Sequence, residues 1–394
     1  MQTADTVIIG AGVNGASLAM HLARAGAGKI VVVERRHLGA GASGKSGALV
    51  RMHYTNEPET RLARVSLDYF QHWGELVGGD CGFQPVGLLV FAAREQRDDL
   101  EANVAMQREL GVNTHLISAA DARELDPALF VDDVDVVAYE PDSGYADPNA
   151  TTYGFARAAM ALGVEFQLDT PALRVLTEAG RVTGVETTRG TIQAGNVVIT
   201  AGAWANGLLA PLGIDLGLAP RPARVAVFRA AFERPTRQLT YIDKINDLWA
   251  RPTDGDCTLS GTEGAQVGPV DPEHVIESLS QEQIELTRQQ LANRFPSIRH
   301  STMRGNWAGV LMMSPDSRPV IGRLEEYEGL YCMAGDSGTS FKTAPAIGKC
   351  LSELITTGRA TTVDLTPFRA SRFAEGQPWI DEHDYGRERP TISR

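Results

Sequence analysis

Residues 6–34 read TVIIGAGVNGASLAMHLARAGAGKIVVVE, and this run limits the fold more than any other stretch of the chain. Val7, Ile8 and Ile9 make the short all-apolar run of a buried parallel strand. Gly10, Gly12 and Gly15 then fit G-x-G-x-x-G. The first allows a tight turn, the second lets a pyrophosphate approach the backbone, and the third lets the following helix sit close to the strand. Leu18 and Leu22 recur at helical spacing, and Gly26 is a helix stop. A second strand, KIVVVE, ends in Glu34, where a carboxylate accepts hydrogen bonds from ribose hydroxyls and disfavours a 2′-phosphate. The unit is the opening of a Rossmann-like domain for FAD or NAD, in an α/β chain.

A length of 394 residues exceeds what one hydrophobic core usually spans, so two domains or one elaborated domain is expected. The net charge of −12, from 37 basic and 49 acidic residues, argues against nucleic acid or an anionic membrane as the main partner. A few placed cations still suffice for a small anionic substrate. No apolar stretch approaches the length of a membrane span, so no membrane insertion is expected. The N-terminus enters its first strand at once, which leaves no room for a signal peptide. Cys81, Cys257, Cys332 and Cys350 form no C-x-x-C pair and no metal-ligand set. Reduced thiols, a cytoplasmic location and no metal are the expectation.

The rest of the chain decides for FAD. After Glu34 comes RRHLGAGASGKSGALVRMHY rather than another regular strand–helix unit. Backbone N–H groups and hydroxyls of Ser43, Gly44, Lys45 and Ser46 suit an anion. Arg51, just beyond, serves that same phosphate or a separate acid. Downstream, NVVITAGAWANGLLAPLG reads as a buried strand and a small-residue turn at Ala201 and Gly202, with Trp204 close by. In GLYCMAGDSGTSFKTAPAIGKCLSELI, a strand Leu330–Ala334 meets a turn at 335–340, then a helix carrying Ile347, Leu351 and Leu354. Its N-terminus would set a positive dipole against an anionic flavin ring. Gly338, Thr339, Ser340, Phe341 and Lys342 join the candidate cofactor set, as do Arg35 and Ala172.

Between these segments the pattern changes. Residues 61–77 place Leu62, Val65, Tyr69, Trp73 and Leu76 at helical spacing, and VGLLVFAA begins a strand-rich section. Residues 173–200 read as hairpins, strands recur at ARVAVFRAAF, LWARP and CTLSG, and a helix is predicted over Gln281–Arg294. Such alternation suits an antiparallel-sheet substrate domain inserted into a discontinuous FAD-binding domain. The expected division is 1–80, 146–217 and 301–372 for FAD binding, 81–145 and 218–300 for the substrate domain, and 373–394 as a polar surface tail. Trp379 anchors that tail or joins a subunit contact.

The segments IIGAGVNGASLAMHLA, GASGKSGALVRMHY, GVETTRGTIQAGNVVITAGAW, WAGVLMMSPDSRPVIG and AGDSGTSFKTAPAIG together resemble the D-amino-acid oxidase superfamily. The closer likeness is to sarcosine oxidases, particularly the β subunit of the heterotetrameric enzymes. The resemblance implies an FAD-dependent enzyme that oxidises the C–N bond of a small amine or an N-substituted or cyclic amino acid to an imine. It further implies that Arg51 and Lys342 hold the substrate carboxylate together, a guanidinium fork beside a point charge. On this reading Gly41–Ser46 serves FAD and Arg51 serves the substrate. Catalytic candidates His53 and Tyr54 are expected to line the pocket. Met312 and Met313 are read as core or pocket wall, and Arg251 as a surface residue.

Three departures from the family pattern carry expectations of their own. Gly309 stands where monomeric sarcosine oxidase attaches FAD through a cysteine, which implies non-covalent FAD. The stretch ADPNATTYGFAR lacks the histidine that carries a second flavin in the heterotetrameric enzymes. Thr258, Leu259 and Ser260 stand where an oxygen-activating lysine is found. Oxygen and a redox partner therefore both remain open as electron acceptor, and so does assembly into an oligomer. A 2-hydroxyacid dehydrogenase and an accessory flavoprotein subunit are the rival readings.

Overall fold

In a computed structural model of the chain, which describes residues 2–231, 238–262 and 268–385, the fold is built on two large sheets. The first has six strands in the order Val320–Arg323, Leu330–Ala334, Asn196–Ile199, Thr6–Ile9, Ile30–Val33 and Glu165–Gln167. The last five run parallel, and Val320–Arg323 pairs antiparallel at the edge. Period-2 alternation divides the side chains between two cores. Ile8, Val32 and Val198 pack against the layer of helices Val13–Arg24, Pro148–Ala161 and Ala344–Thr357. Val7, Ile9, Val31 and Val33 pack on the other face against Val175, Val182 and Val185, which belong to a four-stranded sheet containing the expected hairpins.

Local chemistry fixes the helices. Asp147 caps Pro148–Ala161 by accepting the Ala150 N–H, with Pro148 preset in the first turn. Ser17 Oγ donates to the Ala344 carbonyl at 2.8 Å. A Cβ on Gly348 would fall 2.3 Å from that same Oγ, so glycine permits the close approach of the two helices.

The second sheet has eight strands, ordered Thr302–Met313, Ala219–Arg229, Cys257–Thr262, Leu248–Thr253, Thr240–Asp243, Leu88–Phe91, Val136–Glu140 and His115–Ser118. Its pairings are antiparallel except between Thr240–Asp243 and Leu88–Phe91. The helix Gln281–Arg294, on its expected residues, covers one face. Arg294 pins it there. Its buried guanidinium pairs with Asp243 (2.7 Å) and Asp133 (2.8 Å) and lies 4.2 Å over the Phe91 ring.

Three expectations need correction. The strand Thr302–Met313 falls in the segment assigned to FAD binding, but it pairs along almost the whole of Ala219–Arg229 in the eight-stranded sheet. Arg251 is buried, not superficial. It donates from Nε to the Gly47 carbonyl at 2.6 Å and stacks 4.4 Å over Tyr145. The tail lies on the surface over residues 374–378, as expected, but turns inward beyond them. Trp379 packs 5.2 Å from Phe368, and Asp381, Asp384 and Tyr385 are buried. The remainder of that segment, 386–394, lies outside the described residues. All four cysteines are free and buried. Among the described residues no helix is long and apolar enough to cross a membrane.

Candidate active site and cofactor cleft

The glycine turn ends the strand Thr6–Ile9 at the C-terminal edge of the parallel sheet. Gly10 has φ +110°, and a Cβ there would meet the Thr200 carbonyl oxygen at 2.5 Å. A Cβ on Gly15 would stand 2.1 Å from the Gly10 oxygen, so Gly15 sets helix against turn rather than lining the cleft. Glu34 reaches across from the next strand. Its two carboxylate oxygens accept the Ala11 and Arg36 N–H groups, both at 2.9 Å. Ser43 Oγ accepts the Val13 N–H at 3.0 Å, tying the anion loop to the helix N-terminus.

Two adjoining cavities run from here. The first is lined by Gly10, Gly12, Glu34, Arg35 and Ala172, and by the turn Ala201, Gly202 and Trp204. The second takes in Lys45, Ser46, Arg51, Gly338, Phe341 and Lys342. Val13, Asn14, Ala42, Ser43 and Asp336 belong to both. The cleft fits a flavin dinucleotide. Helix Val13–Arg24 begins with no acidic residue in its first turn and no cap from Gly12 itself, so beyond the Val13 N–H taken by Ser43 its positive end faces the cleft. Asn14 Oδ1 is buried without a hydrogen-bond partner. Gly44 is a packing residue, since a Cβ there would meet the Gly39 oxygen at 2.7 Å. Thr339 and Ser340 lie within the turn, and neither lines either of these two cavities. The Thr339 hydroxyl donates to the Asp336 carbonyl at 2.9 Å.

Arg51 and Lys342 meet in the wall of the second cavity. Both are buried. Both sit over one ring, with Arg51 Cζ 4.7 Å and Lys342 Nζ 4.9 Å from the Tyr54 centroid. Arg51 donates to the His53 carbonyl, and Lys342 Nζ to the Thr339 carbonyl at 2.8 Å. Burial, and then the Arg51 charge, hold the Lys342 ammonium well below its ordinary value. Two basic side chains buried over one ring repel each other, and the depressed Lys342 value follows from burial with that repulsion added.

His53 and Tyr54 lie behind this wall and not on it. The Tyr54 hydroxyl donates to the Thr339 carbonyl at 2.7 Å, and burial raises its pKa. The His53 ring stacks on Tyr385, and burial followed by the Arg51 charge pushes it down to about 3, so it stays neutral. Spacing along the chain brought both near Arg51, but the chain path turns them inward.

Trp249, Ile242, Leu311 and Gly309 also line the second cavity, while Met312 lines the first. The Trp249 ring needs glycine on two neighbours. A Cβ would meet it at 2.2 Å from Gly47 and 2.4 Å from Gly261.

Two acids on the rim carry no sequence signal that marks them. Glu273 binds Arg35 through both oxygens (2.5 and 2.8 Å) and accepts the Trp204 indole N–H at 2.7 Å. Glu277 pairs with Lys45. Asp336, in the AGDSG turn, was legible as part of that turn but not as a group facing both cavities. Burial raises its pKa to about 6.

The pattern of the protein family described as "FAD dependent oxidoreductase" (DAO) matches residues 5–354. The sarcosine oxidase subunit beta of Rhodobacter capsulatus is 25% identical over 386 residues, covering 96% of this chain and 90% of that protein. The mitochondrial sarcosine dehydrogenase of Homo sapiens is 27% identical over 97% of this chain, which spans only 43% of its length. The solved structure of L-proline dehydrogenase from P. horikoshii superposes with a TM-score of 0.89 at 28% identity, covering 96% of this chain and 100% of the other. With the dinucleotide cleft and a family pattern reaching from its first strands to its last helix, the chain belongs to the DAO family of FAD-dependent oxidoreductases.

Proposed function

We propose that the protein oxidises the C–N bond of a small N-substituted or cyclic amino acid to an imine, which is then hydrolysed or passed on. The observation that carries this reading is the pair Arg51 and Lys342 over Tyr54 in the cavity wall. Similarity to proteins named for sarcosine and L-proline, both secondary amines, supports the same class.

Bound FAD supplies the acceptor for a hydride equivalent from the carbon beside the substrate nitrogen. The chain's own residues bind and orient. Gly10, Gly12 and the open N-terminus of helix Val13–Arg24 receive the pyrophosphate, and Glu34 takes the ribose. Arg51 grips the substrate carboxylate as a fork while Lys342 adds charge. Trp249, Ile242 and Leu311 exclude water from the reacting carbon.

FAD is held non-covalently, because Gly309 offers no nucleophile where it lines the cavity. With FAD bound, the electron acceptor would be oxygen or a redox partner. The four buried thiols suit a reducing compartment, and we place the reaction in the cytoplasm.

Anaerobic mixing tests the reading. Sarcosine, L-proline and other secondary amino acids are expected to bleach the flavin. Bleaching by 2-hydroxy acids alone would replace the amine with an alcohol. No bleaching by either class would leave an accessory role.

A further inference from the structure

The segment from Trp379 to Tyr385 grips the loop that carries Arg51. Asp381 accepts from the Thr55 hydroxyl and from Arg318. Arg318 in turn faces Glu59 (Nε to Oε2 3.3 Å) and reaches Thr55 Oγ1 at 3.2 Å. Four residues on, Tyr385 stacks on His53 with ring centroids 5.9 Å apart and 16° between planes, and its hydroxyl is hydrogen-bonded to His53 Nε2 at 3.0 Å. The far side is clamped to the substrate domain. Gln96 Nε2 donates to the Tyr385 carbonyl, and Asn103 Nδ2 to the His383 carbonyl at 2.8 Å.

His53 and Thr55 flank Tyr54, whose ring carries both cations, and the His53 carbonyl accepts a hydrogen bond from Arg51. Arg51 is thus connected to the tail by a continuous path. The guanidinium meets the His53 carbonyl, and the His53 ring meets Tyr385. An apolar plug would bury the same surface without the desolvation cost of Glu59, Arg318 and Asp381. What directed polar contacts add is orientation.

We propose that Tyr385 and Asp381 are positioning residues for substrate recognition, fixing His53 and Thr55 so that Arg51 points its fork at the substrate carboxylate. The proposal rests on Arg51 being the carboxylate ligand, so the test examines the two separately.

The probe is 2-furoate, which carries a carboxylate but no oxidisable C–N bond. It is titrated into FAD-loaded enzyme and followed by flavin absorbance. Tyr385→Phe keeps the stacked ring and loses only the hydroxyl. Its affinity for 2-furoate should fall about three- to tenfold, the range of one net hydrogen bond, with FAD content unchanged. Arg51→Ala should weaken 2-furoate further, and Tyr385→Phe added to Arg51→Ala should cause no additional loss, because the hydroxyl acts through Arg51. Asp381→Asn, of the same shape, should follow the same pattern.

Wild-type affinity in both tail variants would overturn the proposal. So would the same fold loss in the Arg51→Ala background, since that marks a structural effect independent of the guanidinium. Wild-type affinity in Arg51→Ala itself overturns the carboxylate reading beneath it, an outcome the single variant reveals alone.

Discussion

At the residue scale, the weight falls on two cations sharing one aromatic ring. Truncating one partner of a buried charge pair typically costs about 2–5 kcal/mol. Arg51→Ala and Lys342→Ala should each weaken a carboxylate inhibitor on that scale while FAD stays bound. Arg51→Lys should recover only part, because the planar fork is lost. The measurement is a comparison of an amino-acid substrate with its decarboxylated analogue. Both alanine variants should lose the wild-type preference for the acid, and unchanged preference would make these residues structural.

Lys342 adds a pH signature. Its pKa is depressed well below 10.5 by burial and by Arg51. Between the depressed value and 10.5 the unfolded chain holds a proton that the free fold does not, so this lysine costs stability increasingly as pH falls through that window. A bound carboxylate offsets the penalty and restores the proton. Inhibitor binding should therefore take up protons, and affinity should decline as pH rises through the depressed value. Calorimetry in buffers of different ionisation enthalpy, repeated at rising pH up to 10.5, reads the uptake directly, and zero uptake across that whole range would show that the carboxylate does not meet Lys342. Both cations were legible as part of quoted motifs. The inward turn of His53 and Tyr54 was not, because spacing along an irregular segment says nothing of side-chain direction.

At the element scale, the glycine turn and the rim act differently on the cofactor. Glu34 bridges two backbone N–H groups at the mouth of the cleft. Glu34→Ala should weaken FAD retention by removing a ribose acceptor and loosening the turn. FAD dissociation monitored by fluorescence tests this, and unchanged retention would place the ribose elsewhere. The exposed Arg35–Glu273 pair is a weaker device, worth about 0–1 kcal/mol. Glu273→Gln should leave the melting temperature almost unmoved. The strands Thr6–Ile9 and Leu330–Ala334 could be read from sequence because buried parallel strands are continuous apolar runs. The tail misled for the opposite reason. Asp381 and Asp384 are polar residues buried by pairing and packing, and composition alone reads such residues as solvated.

At the scale of the whole molecule, the proposed non-covalent retention of FAD has a direct test. Acid precipitation should release the yellow colour into the supernatant as FAD, and a yellow pellet would show a covalent bond despite Gly309. Leu259 is buried in the strand Cys257–Thr262 and brings no charge toward oxygen. Stopped-flow reoxidation of the reduced enzyme by oxygen should accordingly be slower than reduction by the best substrate; the reverse order would point to another cation near the flavin. The insertion of one sheet between pieces of the other was legible from alternating patterns. The point where Thr302–Met313 crosses between them was not, because a long strand carries no mark of which sheet it completes.

The strand order of the parallel sheet also has a consequence for biosynthesis. Strands Thr6–Ile9 and Leu330–Ala334 both flank Asn196–Ile199, and the first cavity draws on Ile9 and Asp336 alike. A nascent chain therefore carries its nucleotide fingerprint long before the strand that finishes the cleft has left the ribosome. Contacts so distant in sequence form late and slowly. Flavin capture belongs to the end of folding, after translation of the last third of the chain. In a cell short of flavin, overproduced chains should accumulate as apoprotein, lacking the ligand that would draw the final fold closed by mass action.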